Sequence, residues 1–268
     1  MSSNLNGKVL VLDSGMGGLT VAREIQALAP TLAVDYAADS GFFPYGDKTD
    51  DALRKRLPEV AQALCQVAQP DVFVIACNTA STLSLPEVRA KLNIPVVGTV
   101  PAIKPAVQMT RTGTIGLLAT PGTVKRTYTA ELIEEFASGV HVIMHGSIAL
   151  VRMAEQFAAG SPVPLEAFRI AQAPLFEAEG GAGIDTVVLA CTHFPLIRGE
   201  LAATVPYPVN FIDSGEAIAR QTLRMLSDAK PTRDIGGRVW LTSSPTRQAR
   251  LLEVCRRFGY NDVHHVAI

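Results

Sequence analysis

Short apolar runs alternate with longer amphipathic stretches along most of this chain. Runs such as Val9–Leu12 and Val72–Ala76 are apolar throughout, which is typical of strands covered on both faces of a sheet. The stretches between them repeat apolar residues at helical spacing. This alternation predicts a parallel sheet with crossover helices, so the fold class that we predict is α/β.

The pattern places strands and helices in regular succession. The predicted strands are Lys8–Asp13, Ala33–Ala38, Asp71–Ala76, Pro95–Gly98, Gly113–Leu118, Val140–Met144, Asp185–Ala190, Pro208–Ile212, Arg238–Thr242 and Val263–Val266. The predicted helices are Gly18–Leu28, Asp50–Val67, Leu85–Leu92, Ala102–Thr110, Thr123–Phe136, Ala149–Ala158, Leu165–Glu179, Leu196–Ala203, Glu216–Asp228 and Thr246–Phe258. Pro58 is expected to shift or bend the second of these helices.

Polar and reactive residues stand at the ends of several predicted strands, namely Asp13, Cys77, Thr120, Cys191 and Asp213. Ligands of doubly wound sheets bind beyond the carboxyl ends of the strands, so one shared active site is expected there. The pattern is doubled along the chain. An apolar run followed by Ala, Cys and hydroxyl residues occurs around both Cys77 and Cys191, and this indicates two similar halves.

Cys77 and Cys191 are candidates for acid–base chemistry. Each lies between a strand and a probable helix, where the helix N-terminus favours a thiolate over the thiol, whose usual pKa is ~8.5. Two related thiols, one per half, suit a racemase, which needs a proton donor and acceptor on opposite faces of one substrate. Cys77 taken alone is equally consistent with a core thiol. Cys65 and Cys255 fall within helices and are interpreted as small buried hydrophobes.

The turn from Asp13 to Thr20 is rich in glycine and joins a strand to a helix. Its backbone N–H groups are expected to hold an anion, although a tight turn with Asp13 as a helix cap is the alternative. Thr20 replaces the third glycine of a dinucleotide-binding fingerprint. Gly15 stands where a haloacid dehalogenase-like phosphatase has its second Asp, which argues against that class.

Four weaker candidates complete the set. Tyr45 offers its hydroxyl to a ligand, and Gly46 lets a ligand approach the backbone closely. The sequence Pro-Tyr-Gly also makes an ordinary turn. The segment Thr120–Thr123 fits a carboxylate cradle or a plain helix cap. His193 is two residues from Cys191 and suits a proton relay, and Glu155 is either a partner of that site or a solvated helix residue.

Composition limits the function classes. The chain has 268 residues and a formal net charge of -1, and no block of Lys and Arg indicates nucleic acid or an anionic membrane as a partner. No apolar run approaches the ~20 residues of a membrane-spanning helix. The cysteines show neither CxxC pairs nor the ligand spacing of zinc sites, and no signal peptide is evident. We therefore expect a cytoplasmic protein without a metal.

Several motifs occur together in a distinctive order. They are Asp13-Ser14-Gly15-x-Gly17-Gly18, Pro44-Tyr45-Gly46, Ala76-Cys77-Asn78-Thr79-Ala80-Ser81, Thr120-Pro121-Gly122-Thr123, Cys191-Thr192-His193 and Ile212-Asp213-Ser214-Gly215. On these motifs the chain resembles the glutamate racemases. The resemblance implies interconversion of L- and D-glutamate without a cofactor, supply of D-glutamate for peptidoglycan, and a homodimer.

The resemblance also implies two similar α/β domains with the active site between them, formed by residues 1–98 with 208–268 and by residues 99–207. Cys77 would serve the D-face of the substrate and Cys191 the L-face. Asp13 and His193 would tune the thiols, with Thr120, Thr123 and Glu155 as further candidates. The implied substrate-binding residues are Asp13, Ser14, Tyr45, Gly46, Asn78, Thr79, Thr192 and His193.

The sequence departs from the family in places. Ala190 and Phe194 flank the second motif where Gly and Tyr are frequent, Gly146-Ser147-Ile148 replaces an Ala-Cys-Pro segment, and the chain from Arg238 onward matches least. An aspartate or hydantoin racemase is the first alternative, but Ala80-Ser81 and His193 favour glutamate. A non-enzymatic amino-acid sensor is the second, and it would not need two thiols. A phosphatase is the third.

Overall fold

The structure is a computed structural model that describes residues 7–226, 235–244 and 248–268. The described strands are β1 Lys8–Asp13, β2 Ala33–Ala38, β3 Val72–Ile75, β4 Val96–Gly98, β5 Thr114–Ala119, β6 His141–Gly146, β7 Thr186–Ala190, β8 Asn210–Ile212, β9 Arg238–Leu241 and β10 Asp262–His265. The described helices are α1 Leu19–Leu28, α2 Asp50–Ala68, α3 Asn78–Lys91, α4 Ile103–Met109, α5 Pro121–Lys125, α6 Thr127–Phe136, α7 Ile148–Ala158, α8 Leu165–Glu177, α9 Arg198–Thr204, α10 Gly215–Met225 and α11 Ala249–Arg257.

The chain forms two compact units, Met1–Thr99 with Gly215–Ile268 and Val100–Ser214. The sheet of the first unit has the order β10-β9-β2-β1-β3-β4, and its neighbouring strands pair in parallel. Strands β1, β2 and β3 are buried along their whole length, and this burial includes the charged residues Lys8, Asp13 and Asp35 of β1 and β2. The apolar side chains of α2 pack on this sheet and form its main core.

The second unit repeats this arrangement. Its sheet has the order β6-β5-β7-β8, again with parallel pairs. If the first four strands of each unit are numbered along the chain, their order across the sheet is second, first, third and fourth in both units. This confirms the predicted α/β class with two similar domains. The predicted boundary assigned residues 208–212 to the first domain, whereas β8 pairs with β7 in the sheet of the second unit.

Helix α3 differs most from its predicted bounds. It begins at Asn78, immediately after Cys77, whereas the sequence placed its start at Leu85. Polar residues fill its first turns and are buried there, so the apolar periodicity begins only later. The helix bends at Ser84, two residues before Pro86, while α2 continues through Pro58 as a single helix.

The other differences are small. The helix predicted over Thr123–Phe136 is two helices, α5 and α6, separated at Arg126. The predicted helix end at Asp228 and the predicted helix start at Thr246 lie outside the described residues. No helix in the described part of the chain is both long enough and apolar enough to cross a membrane.

Candidate functional site

The candidate residues lie where the strand order reverses in each sheet. In the first unit β1 and β3 are neighbours, although β2 lies between them in sequence, and Leu12 pairs with Ile75. Asp13 and Cys77 therefore follow adjacent strand ends. In the second unit Ala119 pairs with Ala190, so Thr120 and Cys191 are equivalent to them. Such switch points are the ligand-binding positions of doubly wound sheets.

Asp13 is completely buried, and the turn that follows is built around it. One carboxylate oxygen of Asp13 accepts hydrogen bonds from the backbone N–H groups of Ser14 and Gly15 and from the Ser14 hydroxyl. Two of the backbone N–H groups in the turn that was expected to hold an anion thus donate to Asp13. A Cβ atom on Gly18 would lie 2.7 Å from that of Asp13, which explains why this position is glycine.

Cys77 lies at the N-terminus of α3 and is 8% exposed. The N-terminus of α3 beside Cys77 carries a partial positive charge. Asn78 and Thr79 follow it and are buried. The Oδ1 atom of Asn78 has no hydrogen-bond partner within the described residues. A buried acceptor without a partner is costly, and a bound ammonium group would satisfy it.

Tyr45 is buried, and its hydroxyl donates a hydrogen bond to Asp39 over 2.9 Å. Burial raises the pKa of Tyr45 well above its usual value, and the nearby charges of Asp39, Cys77 and Asp13 raise it further. The hydroxyl proton is thus engaged within the protein, while the hydroxyl oxygen retains its capacity to accept a hydrogen bond. Gly46, which follows Tyr45, is half-buried.

Cys191, Thr192 and His193 follow β7 and are all buried. The Cys191 Sγ atom lies 3.9 Å from His193 Nδ1, and His193 Nε2 lies 3.0 Å from a carboxylate oxygen of Glu155 on α7. Burial lowers the pKa of His193, but hydrogen bonds with Cys191 and Glu155 outweigh it and hold the pKa well above its usual value. The structure thus connects Glu155 to the thiol through His193.

Thr120 is the N-cap of α5, and its hydroxyl accepts a hydrogen bond from the Thr123 backbone N–H. This confirms the helix-cap interpretation. The hydroxyl oxygens of Thr120 and Thr123 lie 3.1 Å apart, and both residues are buried. Asp213 follows β8 and lies 3.9 Å from Arg198 of the same unit.

Of the remaining thiols, Cys255 is fully buried, as predicted. Cys65 is partly buried and packs against the core of the first unit, where desolvation raises its pKa to about 12. Among the described residues, no group of three His, Cys, Asp or Glu side chains is placed to hold a metal ion.

Sequence reasoning missed Asp39 and its partner Arg56. Asp39 follows the end of β2, just as Asp13 lies at the end of β1. This repeated position at a strand end was the sequence signal that could have identified Asp39.

Comparisons with known proteins identify the family that this chain resembles in sequence and in fold. A family model described as Asp/Glu/Hydantoin racemase matches residues 16–222. Glutamate racemase of Klebsiella pneumoniae is 47% identical over 256 residues, 94% of this chain and 89% of the relative. Escherichia coli glutamate racemase, solved in complex with L-glutamate and the activator UDP-MurNAc-Ala, superposes with a TM-score of 0.91 at 42% identity over 98% of each chain. Glutamate racemase isoform RacE1 of Bacillus anthracis gives 0.79 at 26% identity over 98% of each chain.

Proposed function

Because the chain belongs to the Asp/Glu/Hydantoin racemase family, we propose that it is an isomerase that interconverts L-glutamate and D-glutamate with Cys77 and Cys191 as the acid–base pair. The observation that carries this proposal is the equivalent position of the two thiols. Each follows the third strand of its unit, beside the first strand of a sheet with the same order. Two equivalent groups on two similar domains suit a reaction whose two directions are mirror images.

In the L-to-D direction the Cys191 thiolate removes the α-proton of L-glutamate, and the Cα–H electron pair remains on the substrate as a carbanion. The Cys77 thiol then donates its proton to the opposite face of Cα, which gives D-glutamate and leaves Cys77 as the thiolate. The D-to-L direction uses the same steps in reverse. This mechanism requires both sulfur atoms to reach one Cα, and each positioned group supplies on the order of 10²–10⁴-fold in rate.

The buried polar groups support binding of an amino acid. We assign the substrate ammonium to Asp13 and to the Oδ1 atom of Asn78, which the described part of the chain leaves without a partner, because both are acceptors next to Cys77. The substrate carboxylates need donors, since their charge opposes the carbanion that forms. The donors that we assign are the hydroxyls of Thr79 and Thr192 and the backbone at Tyr45–Gly46. The Ser14 hydroxyl donates to Asp13, and the ring nitrogens of His193 face Cys191 and Glu155, so neither residue is assigned as a donor.

The names of the relatives support glutamate as the substrate, since the Klebsiella and E. coli proteins are both named glutamate racemase. We further propose that the chain uses neither metal nor cofactor, works as a cytoplasmic homodimer, and supplies D-glutamate for peptidoglycan, as the resemblance of its motifs implies. An aspartate racemase is the alternative, and parallel assays with L-glutamate and L-aspartate separate the two.

The decisive experiment compares Cys77→Ala and Cys191→Ala with Cys65→Ala in deuterated water. Neither thiol variant at the site should racemise glutamate, whereas Cys65→Ala should match the parent. Product made by the parent should carry deuterium at Cα, because each thiol exchanges its proton with solvent. Racemisation at the parent rate by either site variant, or an unlabelled product, would exclude the two-thiol mechanism. Ligand binding without any exchange would instead support the sensor alternative.

A further inference from the structure

The carboxylate of Asp39 is a point where three segments of the first unit meet. It has no solvent exposure and accepts four hydrogen bonds. Its Oδ2 atom accepts from the Tyr45 hydroxyl at 2.9 Å and from Arg56 Nε at 3.2 Å. Its Oδ1 atom accepts from Arg56 Nη2 at 2.8 Å and from the Thr242 hydroxyl at 2.6 Å. A buried carboxylate needs such partners, so these groups are strongly held together.

Thr242 connects the end of β9 to the loop that leads to Tyr45. Its hydroxyl donates to Asp39 and also accepts a hydrogen bond from the Gly41 backbone N–H over 3.1 Å. One hydroxyl therefore fixes both the side chain and the backbone at the start of this loop. The Thr242 backbone N–H in turn donates to the carbonyl of Ala38, at the end of β2.

Arg56 holds the same loop from α2. Its guanidinium makes a two-point contact with Asp39, and the side chain is only 18% exposed. The guanidinium also lies over the ring of Phe42, 5.8 Å from its centre. Phe42 packs edge to face on Tyr45. The fixed fork geometry of arginine suits this combination of a carboxylate and an aromatic ring.

We propose that Arg56 and Thr242 are positioning residues for substrate binding, which act through Asp39 on the buried Tyr45 and thereby fix the backbone at Tyr45–Gly46. This inference rests on the proposed function, in which that backbone contacts a substrate carboxylate. It also gives a role to the segment after Arg238, whose sequence resembles the family least. Through β9 and Thr242, this segment supports the loop while remaining outside the reaction itself.

The first test is a pair of substitutions at Thr242. Thr242→Val keeps the shape but removes the hydroxyl, and Thr242→Ser keeps the hydroxyl. We expect Thr242→Val to raise KM for both enantiomers about tenfold, the effect of one lost hydrogen bond to a charged group. The kcat should change much less, because neither thiol is displaced, and Thr242→Ser should retain the parent KM.

Amide hydrogen exchange gives a measurement that does not depend on activity. The Lys48 backbone N–H donates to the Tyr45 carbonyl over 3.1 Å. In Thr242→Val and in Arg56→Lys, which keeps the charge but loses the fork, this amide should exchange faster. Arg54→Gln is the control, because Arg54 lies on the same helix but pairs with Glu87. Its KM and its Lys48 exchange should be those of the parent.

The outcomes are distinct. Parent values of KM and Lys48 exchange in Thr242→Val would overturn the inference, as would equal defects in Thr242→Val and Thr242→Ser. An equal defect in Arg54→Gln would also overturn it, because the effect would then follow any loss of charge on α2. If the parent does not racemise glutamate, the proposed function fails. The exchange measurements then still show whether Thr242 and Arg56 fix the loop.

Discussion

Glu155→Gln tests how the second thiol is tuned. Glu155 lies 3.0 Å from His193 Nε2, and the His193 Nδ1 atom lies 3.9 Å from Cys191 Sγ. The carboxylate favours the protonated imidazole of His193, which lies between Glu155 and Cys191. Glutamine retains the size and a hydrogen bond but removes the charge, so the substitution isolates the electrostatic contribution.

The expected magnitude follows from the geometry. A hydrogen bond to a charged group contributes about 1.5–3 kcal/mol. The Glu155 side chain is 23% exposed, so solvent screening favours the lower end of that range. Loss of this charge lowers the pKa of His193, and about 1.4 kcal/mol corresponds to a factor of ten in rate. At a pH near neutrality, kcat/KM should therefore fall about tenfold.

The assay must identify which of the two proton transfers slows, the one at Cys191 or the one at Cys77. The equilibrium constant between enantiomers is one, so kcat/KM must fall equally in both directions. The primary isotope effect with α-deuterated substrate is informative here. It should increase for L-glutamate, whose proton Cys191 removes, and decrease for D-glutamate, whose proton Cys77 removes. Glu166→Gln, an equal change at an exposed ion pair with Arg169, should leave both rates and isotope effects unchanged.

A Glu155→Gln variant with the parent kcat/KM would refute this reasoning. So would a loss of activity in which both isotope effects change in the same direction, because that result would indicate general disruption of the site.

Three further predictions concern stability and reactivity. Burial raises the pKa of Asp185, but backbone N–H donors outweigh this effect and lower the pKa to about 2. The ionised Asp185 therefore stabilises the folded protein above its unfolded pKa near 3.9, and this stabilisation is lost as the pH falls toward 2. Asp185→Asn should thus lower the free energy of unfolding in urea by about 1 kcal/mol at pH 7, after allowance for screening, and an equal loss at pH 2 would contradict this. Cys65, whose pKa is about 12, should resist iodoacetamide at pH 8 in the folded protein, and mass spectrometry that finds rapid labelling there would show the packing to be wrong. Gly18→Ala should cost about 1–3 kcal/mol and reduce activity because its Cβ would displace Asp13, whereas Gly199→Ala, with open space around it, should not destabilise the protein in the same thermal melts.

The sequence alone determined much of this protein. Apolar runs without polar interruption identified β1, β3, β5 and β7, because strands buried on both faces exclude polar side chains. The same periodicity placed Cys77 and Cys191 at strand ends and indicated two similar halves. It failed at the start of α3, where buried polar residues occupy helical positions.

Only the tertiary structure decided which strand ends lie together. Strand order depends on contacts between residues far apart in sequence, and local periodicity carries no record of it. That order places Asp13 beside Cys77, assigns β8 to the second unit, and joins β9 to β2. The hydrogen bonds of Tyr45 and Glu155 likewise depend on burial and distance. The sequence did not identify Asp39 as the partner of Tyr45, and it left open whether Glu155 joins the His193 site or faces solvent.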